Sequence, residues 1–111
     1  MPLLNISTSA KIEDKKDFIE KSSRLISTLT NKPERFVMVK LSNPEIIYFD
    51  QKYTPSCYIE IKSIGSLSPE EMSSSICEFY SKELGVAPER IYINFVDVNS
   101  KMWAWNGKTF G

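Results

Sequence analysis

The sequence predicts an α+β fold in which two β-α-β units form a mixed four-stranded sheet with two helices on one face. An internal repeat is the first reason: residues 33–39, which begin Pro-Glu-Arg, read like residues 88–94, and the same offset sets residues 4–7 beside 59–62. The second reason is that each half has a long stretch with helical apolar spacing between two β-rich segments. At 111 residues the chain is predicted to form a single domain, 1–111.

The long stretch of the first half predicts an amphipathic helix. Asn31 stands just before Lys32-Pro33 and suits the left-handed position that ends a helix. The apolar side chains recur at helical spacing and mark one face: Phe18, Ile19, Leu25, Ile26 and Leu29.

The second helix has clearer boundaries. Ser68 is placed to cap it, Pro69 suits the first helical position, and Glu71 suits the third. Gly85 is expected to end it. Its predicted buried stripe consists of Met72, Ile76, Phe79, Tyr80 and Leu84.

The flanking segments predict strands, because they are rich in β-branched and aromatic residues: 3–8, 36–41, 57–64 and 91–98, with shorter apolar pieces at 46–49 and 102–105. Two helices on one face leave the other face of the sheet uncovered. We expect Ile6, Val39, Tyr58 and Ile93 or their neighbours there, a set too apolar for water. Homo-oligomerisation, with the short strands extending neighbouring sheets, would cover it.

Composition excludes several classes of function. Fourteen Lys and Arg balance 14 Asp and Glu, so no net field favours nucleic acid or an anionic membrane. The chain has no histidine, which removes Ser-His and Cys-His catalysis and His-ligated metal sites. No metal and no cofactor is predicted.

The two cysteines, Cys57 and Cys77, are expected to be free thiols in a reducing compartment, although a bridge between them stays open. The chain start lacks the features of a secretory signal, and no apolar run approaches the ~20 residues of a membrane span. A cytoplasmic location is predicted, with export without a signal peptide left open.

Pro2 has two interpretations. Removal of Met1 would leave a secondary amine, which acts as a base where apolar walls and a nearby cation such as Lys32 lower its pKa. Alternatively, Pro2 is an ordinary first residue of an edge strand, where proline is tolerated. The residue alone favours the ordinary interpretation.

Other candidate residues are equally ambiguous by themselves. Lys32 is either a solvated cation at a helix end or an anchor for a substrate carboxylate. Ile64 lies where a strand runs into a loop, and packing explains it. Tyr92 and Asn94 share one face of the fourth strand. Tyr92 suits a core, whereas the amide of Asn94 among apolar neighbours needs a hydrogen-bonding partner.

Several short motifs together resemble the macrophage migration inhibitory factor family of the tautomerase superfamily. They are, in order along residues 2–111, Pro2, Lys32-Pro33, Ser63-Ile64-Gly65, the segment Arg90-Ile91-Tyr92-Ile93-Asn94, and the tail Trp105-Asn106-Gly107-Lys108-Thr109-Phe110.

The resemblance implies a homotrimer that acts as an isomerase, a keto-enol tautomerase on 2-oxo acids such as phenylpyruvate or on dopachrome-type substrates. Pro2 would be the catalytic base and Lys32 would bind the carboxylate. The backbone of Ile64 would border the pocket, and Tyr92 and Asn94 would come from the neighbouring subunit. Trp105 and Phe110 would line the mouth.

The chain also departs from the family pattern. Phe36 replaces a usual tyrosine, Lys62 a histidine and Trp103 a small aliphatic residue, so the range of substrates is open; Trp103 also suits trimer packing. Only one thiol, Cys57, stands where some members have a Cys-x-x-Cys pair. Two alternatives to the enzyme remain: a signalling protein that binds a receptor and retains vestigial catalysis, and a plain ferredoxin-like binding module.

Overall fold

The computed structural model describes residues 1–111. Its strands are β1 Leu3–Thr8, β2 Met38–Ser42, β3 Cys57–Ser63, β4 Ile91–Asp97, β5 Ala104–Trp105 and β6 Lys108–Thr109. Its helices are α1 Lys15–Thr30 and α2 Pro69–Leu84, with short 3-10 helices at Glu34–Phe36, Pro88–Arg90 and Ser100–Met102.

The main sheet has the strand order β2-β1-β3-β4. β1 is parallel to β2, β3 is parallel to β4, and the two pairs meet where β1 runs antiparallel to β3. The predicted mixed four-stranded sheet is therefore confirmed. The Pro-Glu-Arg segments of both repeats overlap equivalent 3-10 turns. β1 is an interior strand, so the edge-strand interpretation of Pro2 is wrong.

Both helices end as predicted, but they begin differently. Asn31 has φ 55° and Gly85 has φ 65°, the left-handed conformation that closes a helix. The side chain of Asp14 caps α1 by accepting from the amide of Asp17 at 3.0 Å. Ser68 occupies the cap position of α2, but its carbonyl rather than its hydroxyl accepts hydrogen bonds there, so the predicted side-chain cap is wrong.

The core lies between the two helices and one face of the sheet. Met72, Ile76, Tyr80 and Leu84 of α2 are buried, as are Phe18 and Ile26 of α1, and the other predicted apolar side chains of the helices pack partly buried against them.

The prediction of which strand residues face outward is right for Tyr58 and wrong for Ile6, Val39 and Ile93. Register sets Ile6 level with Ile59, and Ile59 level with Ile93, on the face that packs against the helices. Val39 shares that face with Leu4. By strand alternation, the open face carries mostly polar side chains: Asn5, Ser7, Lys40, Tyr58, Glu60, Lys62, Tyr92 and Asn94. An apolar outer face therefore gives no argument for oligomerisation.

Several strand boundaries also differ from the prediction. Residues 46–49 form no strand beyond one bridge between Phe49 and Lys52. Met102 belongs to a 3-10 helix, and β2 begins at Met38 rather than at Phe36. The short strands β5 and β6 pair with each other within the chain as a small hairpin. No helix has the length and apolar character required to cross a membrane.

The two cysteines are unpaired, as predicted. Burial raises the pKa of the Cys57 thiol to about 12, so this side chain is a neutral thiol at physiological pH and packs as a core residue.

Arg90 anchors the loop that joins β2 to β3. Its buried guanidinium donates to the carbonyls of Pro55, Phe49, Lys52 and Thr54 at 3.0–3.3 Å. It also stacks over the Phe49 ring at 5.3 Å. Four carbonyls spread over seven residues need a rigid fork of donors, which only arginine offers.

Replacement of Arg90 by lysine should therefore lower the free energy of unfolding by about 2 kcal/mol or more, because a single ammonium cannot reach all four carbonyls. The matched control is Arg35→Lys at the equivalent repeat position, which is exposed and stacks on Phe36 at 4.5 Å. Urea unfolding at equal protomer concentrations measures both. Equal losses in the two variants would contradict the anchoring role.

Candidate active site

Pro2 lies at the start of an interior strand. Its carbonyl accepts a hydrogen bond from the amide of Met38 at 3.0 Å, which extends the β1–β2 ladder by one residue. Its side chain is almost completely buried. Proline is compatible with this place because the first residue of a strand needs no amide donor.

Pro2 lines a cavity of about 410 Å³ between the open face of the sheet and the β5 segment. The walls are mostly apolar, and Lys62 is the only charged side chain among them. The other lining residues are Met1, Leu3, Phe36, Met38, Val98, Met102, Trp103, Ala104 and Trp105.

A second cavity, of about 430 Å³, adjoins the first. It brings together four of the predicted site residues: Lys32, Ile64, Trp105 and Phe110. Met1, Phe36 and Trp105 line both cavities, so the amino-terminal residue lies between them. The nitrogen of Pro2 is bonded to Met1, which lines both cavities.

The turn at the end of α1 fixes the backbone of Lys32. Its amide donates to the carbonyl of Ser27 at 3.2 Å, and the Ser27 hydroxyl donates back to the Lys32 carbonyl at 2.6 Å. These bonds use the backbone of Lys32 to close the helix end and leave its side chain free to line the second cavity.

Ile64 follows directly after β3, where two hydrogen bonds hold the turn. The amide of Val98 donates to the carbonyl of Ser63 at 2.8 Å, and the amide of Gly65 donates to the Asp97 carboxylate at 3.0 Å. The end of β3 is thereby tied to the end of β4 beside the second cavity.

The β5–β6 hairpin supplies the aromatic side of the site. Trp105 is 56% and Phe110 39% exposed, so both lie at the rim rather than in the core. The amide of Phe110 donates to the carbonyls of Trp103 at 3.0 Å and Ser100 at 3.2 Å. The rings of Trp105 and Phe36 meet edge to face with centroids 6.3 Å apart.

The electrostatics of the site disfavour a charged amine. The pKa of the Met1 amino group is lowered, first by burial and then by the positive charge of Lys32. No carboxylate lines either cavity. An amine in this position therefore loses its proton more readily than it would in water. No group of three or more Cys, Asp or Glu side chains is arranged to hold a metal ion.

Tyr92 and Asn94 lie outside both cavities. Tyr92 is 62% exposed and packs on Phe49 with ring centroids 4.8 Å apart. The Asn94 amide donates to the Tyr58 hydroxyl at 3.1 Å, which is the partner that its apolar neighbours required. Register sets Asn94 level with Glu60 and Asn5. It is thus three residues, about 10 Å, along the strand from Pro2 and two strands, again about 10 Å, across the sheet.

Part of the lining is not evident from the sequence. Phe36, Lys62 and Trp103 stand out there only as departures from a family pattern, and each of them lines a cavity. Nothing in the sequence marks Met38 and Val98 as lining residues. The pairing of Leu3 with Met38 brings β2 beside Pro2, and that register is not readable from the sequence.

Comparison with known proteins gives a consistent result. The family model described as macrophage migration inhibitory factor matches residues 1–111. A macrophage migration inhibitory factor homolog of Trichinella spiralis is 30% identical, with 99% of this chain and 100% of that protein covered. A homolog of Trichuris trichiura is 31% identical over 99% of this chain and 100% of its own length.

The fold is equally similar to solved structures. The macrophage migration inhibitory factor homologue of Prochlorococcus marinus superposes with a TM-score of 0.91 at 37% identity, covering 98% of this chain and 99% of that one. Together with the match along the whole chain, this shows that the protein belongs to the macrophage migration inhibitory factor family of the tautomerase superfamily.

Proposed function

We propose that the protein is a keto-enol tautomerase acting on 2-oxo acids such as phenylpyruvate, with Pro2 as the general base. Proteins of the family are tautomerase-type isomerases. The observation that carries the proposal here is that Pro2 lines a mostly apolar cavity, that Met1 on its nitrogen lines this cavity and an adjoining one, and that the two contain lysines and no carboxylates.

The proposed base requires removal of Met1. The nitrogen of Pro2 is an amide while Met1 is attached, and an amide has no basic lone pair. Cleavage would leave a secondary amine beside the space that Met1 occupies. Met1 lines both cavities. The burial and the charge of Lys32 that lower the pKa of the Met1 amine would act on this amine as well.

The chemistry needs only one mobile proton. The neutral amine of Pro2 takes a proton from the carbon beside the ketone, the electron pair of that bond forms the enol double bond, and a proton is returned to the carbonyl oxygen. Lys32 would bind the carboxylate by charge, and the backbone of Ile64 would border the ligand. Trp105 and Phe110 would hold its ring. Positioned proton transfer of this kind contributes ~10²–10⁴-fold to the rate.

A homotrimer would complete the site. The resemblance assigns Tyr92 and Asn94 to the site of a neighbouring protomer, and within one chain both side chains lie away from Pro2 on the open face of the sheet. Large apolar side chains are exposed in two separate places. Met38, Met102, Trp105 and Phe110 surround the cavities, whereas Ile46, Tyr48, Tyr53 and Tyr92 lie around the 46–53 loop. Contact between the two places on different copies would bury both.

The alternative function is that of a cytokine-like signalling protein with vestigial catalysis. The observation that favours it is the exposed aromatic pair Tyr48 and Tyr53, with ring centroids 5.0 Å apart, since exposed aromatic side chains are common at protein interfaces. Loss of tautomerism with unchanged binding of a partner in Pro2→Gly would support this alternative.

We expect the enzyme to act in the cytoplasm.

The processed and the Met1-bearing forms should differ completely in activity. Protein that begins at Pro2, confirmed by intact mass, should accelerate ketonisation of phenylpyruvate, because its terminal amine is a free base. Protein that retains Met1 should show only the uncatalysed rate. Equal turnover by the two forms, followed by loss of the enol absorbance, would refute the role of Pro2.

The interface site predicts complementation between two defective variants. Pro2→Gly removes the proline base, and Asn94→Ala removes a group contributed by the neighbour, so each alone should lose at least about tenfold in kcat/KM. Because intact Pro2 and intact Asn94 meet only at a mixed interface, trimers formed by co-refolding the two variants should regain part of the activity. Mixing the folded proteins without exchange of subunits is the control. Failure of co-refolded trimers, with mixed composition confirmed by mass, to regain activity would contradict a shared site.

A further inference from the structure

We propose that the site is built for a substrate with two negative charges, and that Lys62 holds the second one. The inference rests on the proposed function, because it concerns the substrate class of the same site. The substrate would be a 2-oxo acid with a flat apolar middle and a second carboxylate at its far end.

The two cavities each contain one lysine. Lys32 lines the second cavity and Lys62 the first, on either side of the amino terminus. Because Met1, Phe36 and Trp105 line both cavities, removal of Met1 would join them into one groove with one lysine in each half. A ligand that reaches from one lysine past Pro2 to the other would fit that shape.

The side chains that line the groove carry a net positive charge. Within one protomer, Lys32 and Lys62 are the only charged side chains that line it. A ligand with one carboxylate at Lys32 would leave Lys62 with only its long contact to Glu60, whereas a dianion would pair with both lysines. Unlike charges in a partly apolar groove attract more strongly than on an open surface.

The one ion pair of Lys62 leaves it available to a ligand. Its ammonium is 3.8 Å from the Glu60 carboxylate, and its side chain is 42% exposed. The other oxygen of Glu60 accepts a hydrogen bond from the Tyr58 hydroxyl at 3.1 Å. Glu60 is therefore held by a neighbour of its own and lines neither cavity, so a ligand carboxylate would compete with a long contact only.

The walls between the lysines suit a flat ring. Phe36 and Trp105 line both halves of the groove and stand edge to face. Trp103 adds a further aromatic surface in the half that contains Lys62 and Pro2. Lys62 touches the far end of the ligand in this arrangement and takes no part in the proton transfer, so it is a specificity-determining residue.

The test uses two ligands that differ by one carboxylate, phenylpyruvate and (4-carboxyphenyl)pyruvate. Calorimetric titration of the processed protein gives a Kd for each, and the tautomerase assay gives KM and kcat. We expect the dianion to bind about fivefold more tightly at low salt, with a preference that shrinks as ionic strength rises. The difference should appear in KM rather than in kcat.

Three variants test whether Lys62 causes the preference for the dianion. Lys62→Met should abolish the preference for the dianion, and Glu60→Gln should increase it, because the competing carboxylate is gone while the amide can still accept from Tyr58. Lys11→Met removes an exposed lysine that lines neither cavity and should leave the preference as in the unmodified protein.

The outcomes distinguish failure of the dianion proposal from failure of the proposed tautomerase activity. Equal affinity for the two ligands, or a preference that persists in Lys62→Met, would overturn the dianion proposal even if phenylpyruvate is turned over. A Lys62-dependent preference in binding without turnover of either compound would support it and refute the proposed tautomerase. Absence of binding by both ligands would overturn both.

Discussion

The site depends on the pairing of β1 along both of its edges. Ladders to β2 on one side and to β3 on the other make the amino-terminal strand an interior strand. An amino-terminal segment normally frays because only its own few contacts hold it. Here Pro2, the proposed base, is itself fixed by its buried ring and by the hydrogen bond that its carbonyl accepts from the amide of Met38. The position of this chain end is therefore as fixed as that of a core side chain.

Apolar walls and positive charge then act together on that chain end. Burial is the larger cause of the lowered pKa of the Met1 amino group, and Lys32 is the second. In the proposed mechanism the same lysine would also bind the substrate carboxylate, so one residue would both disfavour the ammonium and hold the substrate beside it. Lys62 would act in the same way in the other cavity. It lies on the open face of the sheet, which no helix of this chain covers.

Local patterns predicted the elements well, because caps and helical spacing are properties of neighbouring residues. Asn31, Gly85 and the buried stripe of α2 were readable for that reason. The sequence does not show in the same way which residues of a strand face the helices. Alternation separates Ile6 from Asn5, but it does not say which of the two faces the helices; only the burial of the larger apolar side chains decides this in the folded chain. The role of Arg90 was equally hidden, since its acceptors are backbone carbonyls that have no sequence signature. Lys32, Ile64, Trp105 and Phe110 line one cavity, whereas Tyr92 and Asn94 lie outside it and would reach a site only on a neighbouring copy.

The proposed function requires that the nitrogen of Pro2 be a neutral amine when it meets the substrate, because a protonated amine cannot accept a proton. Titration of processed protein labelled with ¹⁵N-proline, followed by the ¹⁵N shift of Pro2, measures this directly. We expect a midpoint well below that of the same amine in an unfolded peptide of residues 2–12, and a midpoint that rises toward the peptide value in Lys32→Met. Identical midpoints for the folded protein and the peptide would contradict it.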